Sequence, residues 1–143
     1  MVLTEVRDLT VFVYIDGLAE GNPGTGTYGY LIYDGERKLA EGNDLAGYAV
    51  TNNYAEYTAL VEAMKKLRRL GVEGDVVVRS DSQLLVGQMS KGWKAKGGGY
   101  LEKLKEARDL VKEFGSIKFE WIPREKNAEA DLLSRVAYER HRK

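Results

Sequence analysis

The sequence predicts an α/β domain built on a mixed β-sheet, and three observations predict it. Three β-type runs come first, at residues 11–15, 27–33 and 37–42, the last two joined by Asp34-Gly35, a strong hairpin signal. The hydrophobic period then becomes helical, and two further apolar runs, at residues 75–79 and 117–121, alternate with helices. A chain of 143 residues is long enough to bury a real core and too short for two comfortable domains. The order β β β α β α α β α implies an antiparallel opening meander. Strands separated by helices pair in parallel through right-handed crossovers.

Residues 1–10 are a polar lead-in to a single domain spanning 1–143. Val11 to Ile15 is too short for a helix and reads as a fully buried strand, ended by Asp16 and Gly17. A loop is expected from Leu18 to Gly26, with Asn22-Pro23-Gly24 as turn residues, then strands at Thr27 to Tyr33 and around Arg37 to Gly42. Asn43 to Val50 is irregular by pattern. Thr51-Asn52-Asn53 supplies N-cap candidates for a helix whose buried face is Tyr57, Leu60, Val61, Met64 and Leu67, extended by Leu70 and stopped near Gly71. Asp75 to Arg79 is a buried strand ending at Ser80-Asp81, and a short helix follows from about Ser82 to Met89. After a basic, glycine-containing segment, Leu101, Leu104, Ala107, Val111 and Phe114 mark an amphipathic helix that Gly115 ends. Ile117, Phe119 and Trp121 alternate with Lys118 and Glu120 in the last strand, which stops at Ile122-Pro123. The closing helix starts near Ala128, with Ala130, Leu133, Val136 and Ala137 inward.

Composition narrows the chemistry. With 43% hydrophobic and 31% charged residues, no membrane-length apolar run and no signal-peptide pattern, a soluble, cytoplasmic protein is expected. There is no cysteine and one histidine, so any metal must be held by oxygen ligands. A net charge of zero argues against indiscriminate coating of nucleic acid. Charge is uneven, however: Lys91, Lys94 and Lys96 flank Trp93 in the glycine-rich segment, a composition suited either to phosphates and sugars or to a plain solvated surface.

Four carboxylates stand at element ends. Asp16 and Asp81 close strands, where ligands gather on parallel sheets, while Glu56 and Asp131 lie in the first turns of helices. Singly, each has a structural explanation. Asp16 before Gly17 is turn chemistry, Glu56 could close a capping box with Asn53, and a first-turn acid is worth roughly 0.3–1 kcal/mol against the helix dipole. Together they can converge, and four such charges repel unless a divalent cation neutralises them. Mg²⁺ fits that requirement.

Asp16-Gly17 with Asn22-Pro23-Gly24, Thr51-Asn52-Asn53 before Glu56, Asp81-Ser82-Gln83, and Asn127 four residues before Asp131 resemble type 1 ribonuclease H. The similarity runs from about Val11 to Tyr138, and Ile122-Pro123-Arg124-Glu125 is closest to the archaeal type. The resemblance implies a ribonuclease H-like fold, with a five-stranded mixed sheet and helices on both faces. It implies cleavage of the RNA strand of RNA/DNA hybrids to 5′-phosphate and 3′-hydroxyl ends. Asp16, Glu56, Asp81 and Asp131 would hold two ions, Mg²⁺ or Mn²⁺, about 4 Å apart. Asn22, Asn52, Asn53 and Gln83 match positions that touch the hybrid in its minor groove, although Asn22 also suits a turn and Asn52 or Asn53 a cap. Two departures stand out. The loop from Pro123 to Glu129 lacks the histidine of many relatives, and Arg124, which cannot shuttle protons, is the nearest residue that could bind a phosphate or the leaving strand. Where some members carry a large basic protrusion, this chain has a short segment with Lys91, Trp93, Lys94 and Lys96, and Trp93 suits packing as well as stacking on a sugar. Other readings are a related nuclease for double-stranded RNA or junctions, and a hybrid-binding module without catalysis. A monomer is expected.

Overall fold

The computed structural model describes residues 10–21, 23–95 and 99–142. Five strands, β1 (Val11–Gly21), β2 (Gly24–Asp34), β3 (Arg37–Val50), β4 (Val76–Ser80) and β5 (Ile117–Trp121), form one sheet in the order β3-β2-β1-β4-β5. The helices are α1 (Asn52–Leu70), α2 (Gln83–Ser90), α3 (Leu101–Val111) and α4 (Ala128–His141), the last preceded by a 3₁₀ turn at Arg124–Lys126. β1 pairs antiparallel with β2 and parallel with β4, which pairs parallel with β5, so the sheet is mixed as expected.

Alternation along β1 divides its side chains between two layers. Val11, Val13 and Ile15 join Tyr30, Ile32, Leu60, Met64 and Leu67 in the core beneath α1, and Leu104 and Ala107 of α3 close it. Asp16 points to the other face, toward α4, where Ser134 meets it. A buried polar chain ties the helices together: Tyr57 Oη donates to Gln88 Oε1 (2.7 Å), and Gln88 Nε2 donates to Tyr100 Oη (3.0 Å).

Several expectations change. β1 does not end at Asp16: that residue is the sixth of eleven and pairs with Gly29. The parallel ladder with β4 stops at Tyr14↔Arg79, while the antiparallel ladder with β2 continues to Gly21↔Gly24. Backbone pairing sustains the hairpin without a continuous apolar run, so that run marks only the doubly flanked half of the strand. β3 likewise runs to Val50 instead of Gly42. It is an edge strand whose register shifts at Gly26 and near Ile32 break the alternation that would have revealed it. Thr51 caps α1, its Oγ1 accepting from Tyr54 N (3.1 Å), which makes Glu56 the fifth helical residue, outside the first turn and outside any capping box with Asn53. α3 stops at Val111, although Phe114 still packs on the core. Leu70 and Val136 are exposed; in α4 the buried stripe is Ala130, Ser134 and Ala137. Among the described residues, no helix is long and apolar enough to cross a membrane.

Candidate active site

Just beyond the last parallel pair of β1 and β4, three carboxylates meet. Asp16, Glu56 and Asp81 each offer an oxygen, and these oxygens lie within 4.8 Å of one another. Asp131 stands outside that group but lines the same cleft of about 240 Å³, together with Asn52, Arg124 and Arg135. Its Oδ2 is paired with Arg135 Nε at 3.1 Å, an i,i+4 pair on α4.

Two glycines bring the helices this close. A Cβ on Gly17 would fall on the backbone N of Glu56 and lie 2.7 Å from Ala55 O, so β1 and α1 touch backbone to backbone beside the carboxylates. A Cβ on Gly29, the partner of Asp16, would sit 2.7 Å from Leu133 Cβ, 2.8 Å from Ala130 O and 2.9 Å from Ser134 N. The missing side chain lets α4 rest directly on β2. Thr27 Oγ1 then donates to Ser134 O at 2.7 Å, and Ser134 Oγ lies 2.9 Å from Asp16 Oδ2.

The electrostatics are those of crowded, half-dry carboxylates. Burial, then the charges of Asp81 and Asp131, lift the Asp16 pKa to about 7, against the hydrogen bond from Ser134. Burial, then Asp16 and Asp81, lift Glu56 to about 8, opposed by a hydrogen bond from Ser82 and by the charge of Arg124. Burial also raises Asp81, with Arg124 opposing it, Asp131 reinforcing it and the Asn127 amide opposing it. A hard divalent cation fits this donor set, which is all oxygen and carries more negative charge than its surroundings offset.

The proposed substrate contacts distribute around this centre. Asn52 lines the cleft and accepts from Ala19 N at 2.9 Å, and Asn53 follows it, half-buried, in the first turn of α1. Gln83, exposed at the start of α2, shares a shallow depression of about 190 Å³ with Lys91, Trp93 and Trp121. Trp93 is 46% exposed and lies so close to Gly87 that a Cβ there would overlap its indole, so it is packed and accessible at once. Lys91 Nζ stands 5.9 Å from the Trp93 ring centroid. Lys94 is exposed, its carbonyl accepting from Gln88 Nε2 at 3.4 Å. Asn22 and Lys96 lie outside the described residues.

Four neighbours of the site had no role assigned from sequence. Asn127, 1% exposed, donates from Nδ2 to Ile15 O at 2.8 Å and so ties the loop before α4 to β1. Trp121 Nε1 donates to Asp81 O at 3.2 Å. Ser134 reaches Asp16 across 118 residues, for which no local spacing gives a signal, whereas the Asp131 to Arg135 interval is a readable helix pair.

Comparison with known proteins places this arrangement among relatives. A family described as "Reverse transcriptase-like" matches residues 15–137. A bifunctional protein of Mycobacterium tuberculosis is 37% identical over 90% of this chain, which spans 35% of that protein. Ribonuclease HI of Halobacterium salinarum is 36% identical over 89% of this chain, which spans 63% of that one. The chain thus covers only about a third to two thirds of these relatives' length. Among solved structures, LC11-RNase H1 in complex with an RNA/DNA hybrid superposes with a TM-score of 0.85 at 37% identity, covering 91% of this chain and 97% of that one.

Proposed function

The chain belongs to the type 1 ribonuclease H family, and on that premise we propose that it is a divalent-metal-dependent endonuclease that hydrolyses the RNA strand of RNA/DNA hybrids. The observation that carries this reading is the convergence of Asp16, Glu56 and Asp81, with an oxygen of each within 4.8 Å of the others, and Asp131 in the same cleft. These carboxylates would hold Mg²⁺ or Mn²⁺. Two such ions would supply the chemistry of activating water toward the phosphodiester and neutralising charge on the departing 3′ oxygen, which would leave 5′-phosphate and 3′-hydroxyl ends. Asn52, Asn53 and Gln83 face the minor groove of the hybrid, where the 2′-hydroxyls distinguish RNA from DNA. Lys91, Trp93 and Lys94 support the flanking backbone. Arg124, whose charge reaches both Glu56 and Asp81, binds the scissile phosphate or the leaving strand.

Incubation with labelled hybrid, duplex RNA, duplex DNA and single strands, with and without Mg²⁺, tests the reading. Metal-dependent cutting of the RNA strand in the hybrid is expected. Equal cutting of duplex RNA would favour a broader nuclease, and metal-independent binding with no cutting of any substrate would defeat the enzyme reading. Arg124→Ala is expected to lower kcat on the order of tenfold to a hundredfold, an exposed cation being worth less than an enclosed donor, with the KM for hybrid little changed. Steady-state kinetics check this, and unchanged kcat removes Arg124 from the site.

A further inference from the structure

We propose that Ser134 is a positioning residue for Asp16: its buried hydroxyl donates to Asp16 Oδ2 and fixes the rotamer in which that carboxylate meets Glu56 and Asp81. This rests on the reading of the cleft as a divalent-metal site. Ser134 is 0% exposed, its carbonyl accepts from Thr27 Oγ1 at 2.7 Å, and its backbone N lies against Gly29, so neither its backbone nor its hydroxyl has freedom to wander. The Oγ stands 2.9 Å from Asp16 Oδ2 and 2.8 Å from Asp131 O. One hydroxyl proton cannot serve both. The Asp131 carbonyl is the ordinary back-bonding partner of a helical serine, whereas an ionised carboxylate forms the stronger, charge-assisted bond. With Asp16 ionised, the proton goes to Asp16.

Packing alone does not account for a serine here. An alanine would fill nearly the same volume against β2 without burying a polar oxygen, and a buried hydroxyl is disfavoured unless it is partnered. Asp16 in turn has need of a donor. Its other close neighbours, Glu56, Asp81 and Asp131, are carboxylates that repel it. Released from Ser134, the Asp16 side chain would swing away from them about χ1, and the cluster would have to regather it when a cation binds. The helix that carries Asp131 therefore also carries the group that aims Asp16, and Gly29 is the residue whose lack of a side chain allows it.

The test compares Ser134→Ala with Tyr57→Phe, which removes a buried hydrogen bond to Gln88 in the core beneath α1 and serves as a control for lost stability. Mn²⁺ binding to the substrate-free proteins is measured by titration calorimetry, alongside thermal unfolding and steady-state cleavage of hybrid. Ser134→Ala is expected to raise the Kd for Mn²⁺ about tenfold, as loss of a ligand-orienting hydrogen bond does, with KM for hybrid little changed and kcat regained at saturating Mn²⁺. Tyr57→Phe is expected to melt earlier and bind Mn²⁺ like the wild type. Wild-type affinity in Ser134→Ala, or equal weakening in Tyr57→Phe, overturns the proposal while leaving the metal site standing. A wild-type protein that binds no Mn²⁺ overturns the metal site itself, and this proposal with it.

Discussion

Asp16→Asn is expected to abolish cleavage, by on the order of a thousandfold or more, and to raise the melting temperature of the metal-free protein. Both effects come from the same crowding. Asparagine keeps the shape and an oxygen to accept from Ser134, but it removes the negative charge that a cation needs and that Glu56 and Asp81 resist. In the metal-free fold Asp16 takes up its proton near pH 7 and Glu56 near pH 8, against ordinary values of 3.8 and 4.5. The folded state therefore binds more protons than the unfolded chain from about pH 4 to pH 8, and stability falls as pH rises through that window. At about pH 4, where the unfolded aspartate is itself largely protonated, the wild type and the variant should melt at nearly the same temperature. At pH 8 the variant should be more stable by roughly 1–3 kcal/mol, since a tenfold change in proton affinity is worth about 1.4 kcal/mol and Glu56 is relieved as well. For a domain of this size that is about 3–10 °C. Added Mn²⁺ should stabilise the wild type at pH 8 and the variant much less. Unfolding scans in chelator at the two pH values, with a cleavage assay, check all of this. A variant that cuts hybrid at the wild-type rate, or melts earlier at pH 8, would show that Asp16 is not part of a repelling metal cluster.

The sequence made the element order and the sheet's functional edge legible because both are written in apolar runs. Val11 to Ile15 and Val76 to Arg79 are the parts of β1 and β4 that helices or neighbouring strands enclose, and Asp16 and Asp81 stand close to where that enclosure ends. What backbone pairing alone sustains was invisible. The second half of β1 and residues 43–50 of β3 interrupt their apolar residues with glycine and polar side chains and show no clean alternation, and their strand character comes from β2 alongside. Three consecutive capping residues leave the helix start ambiguous, and with Thr51 rather than Asn53 as the cap the helix begins two residues earlier than a capping box with Asn53 requires, which makes Glu56 the fifth helical residue. Its role in the cluster survives the shift, since the fifth helical residue still faces Asp16. Ser134, Asn127 and Trp121 could not be found in this way. Each contacts the site through a partner 40 or more residues distant, and nothing in a local window distinguishes a buried serine that aims a carboxylate from one that merely keeps a helix slim.

Gly17→Ala is the substitution expected to cost most in both stability and activity for the least added volume. Gly17 has an ordinary backbone conformation, so torsional strain plays no part; it pairs with Tyr28 inside β1 and β2 and lies under the first turns of α1. A single methyl there would strike the backbone of Ala55 and Glu56, and Ala55 is fully buried. A flexible side chain could rotate away, but a helix backbone yields only by moving as a unit. Overpacking of this kind costs about 3 kcal/mol, a fall in melting temperature near 10 °C at this size. The same displacement carries Glu56 away from Asp16 and Asp81, and a shift on the order of 1 Å at a reacting centre can lower turnover about a hundredfold. Gly115→Ala is the matched control: no atom lies within 4 Å of its would-be Cβ and its φ is not positive, so stability should stay within about 0.5 kcal/mol and cleavage should be unchanged. Metal separates the glycine and serine mechanisms. High Mn²⁺ should restore Ser134→Ala, whose carboxylates can still be gathered, and should fail to restore Gly17→Ala, whose α1 cannot return while the methyl is present. Wild-type melting and turnover in Gly17→Ala would mean that β1 and α1 do not touch where the site requires them to.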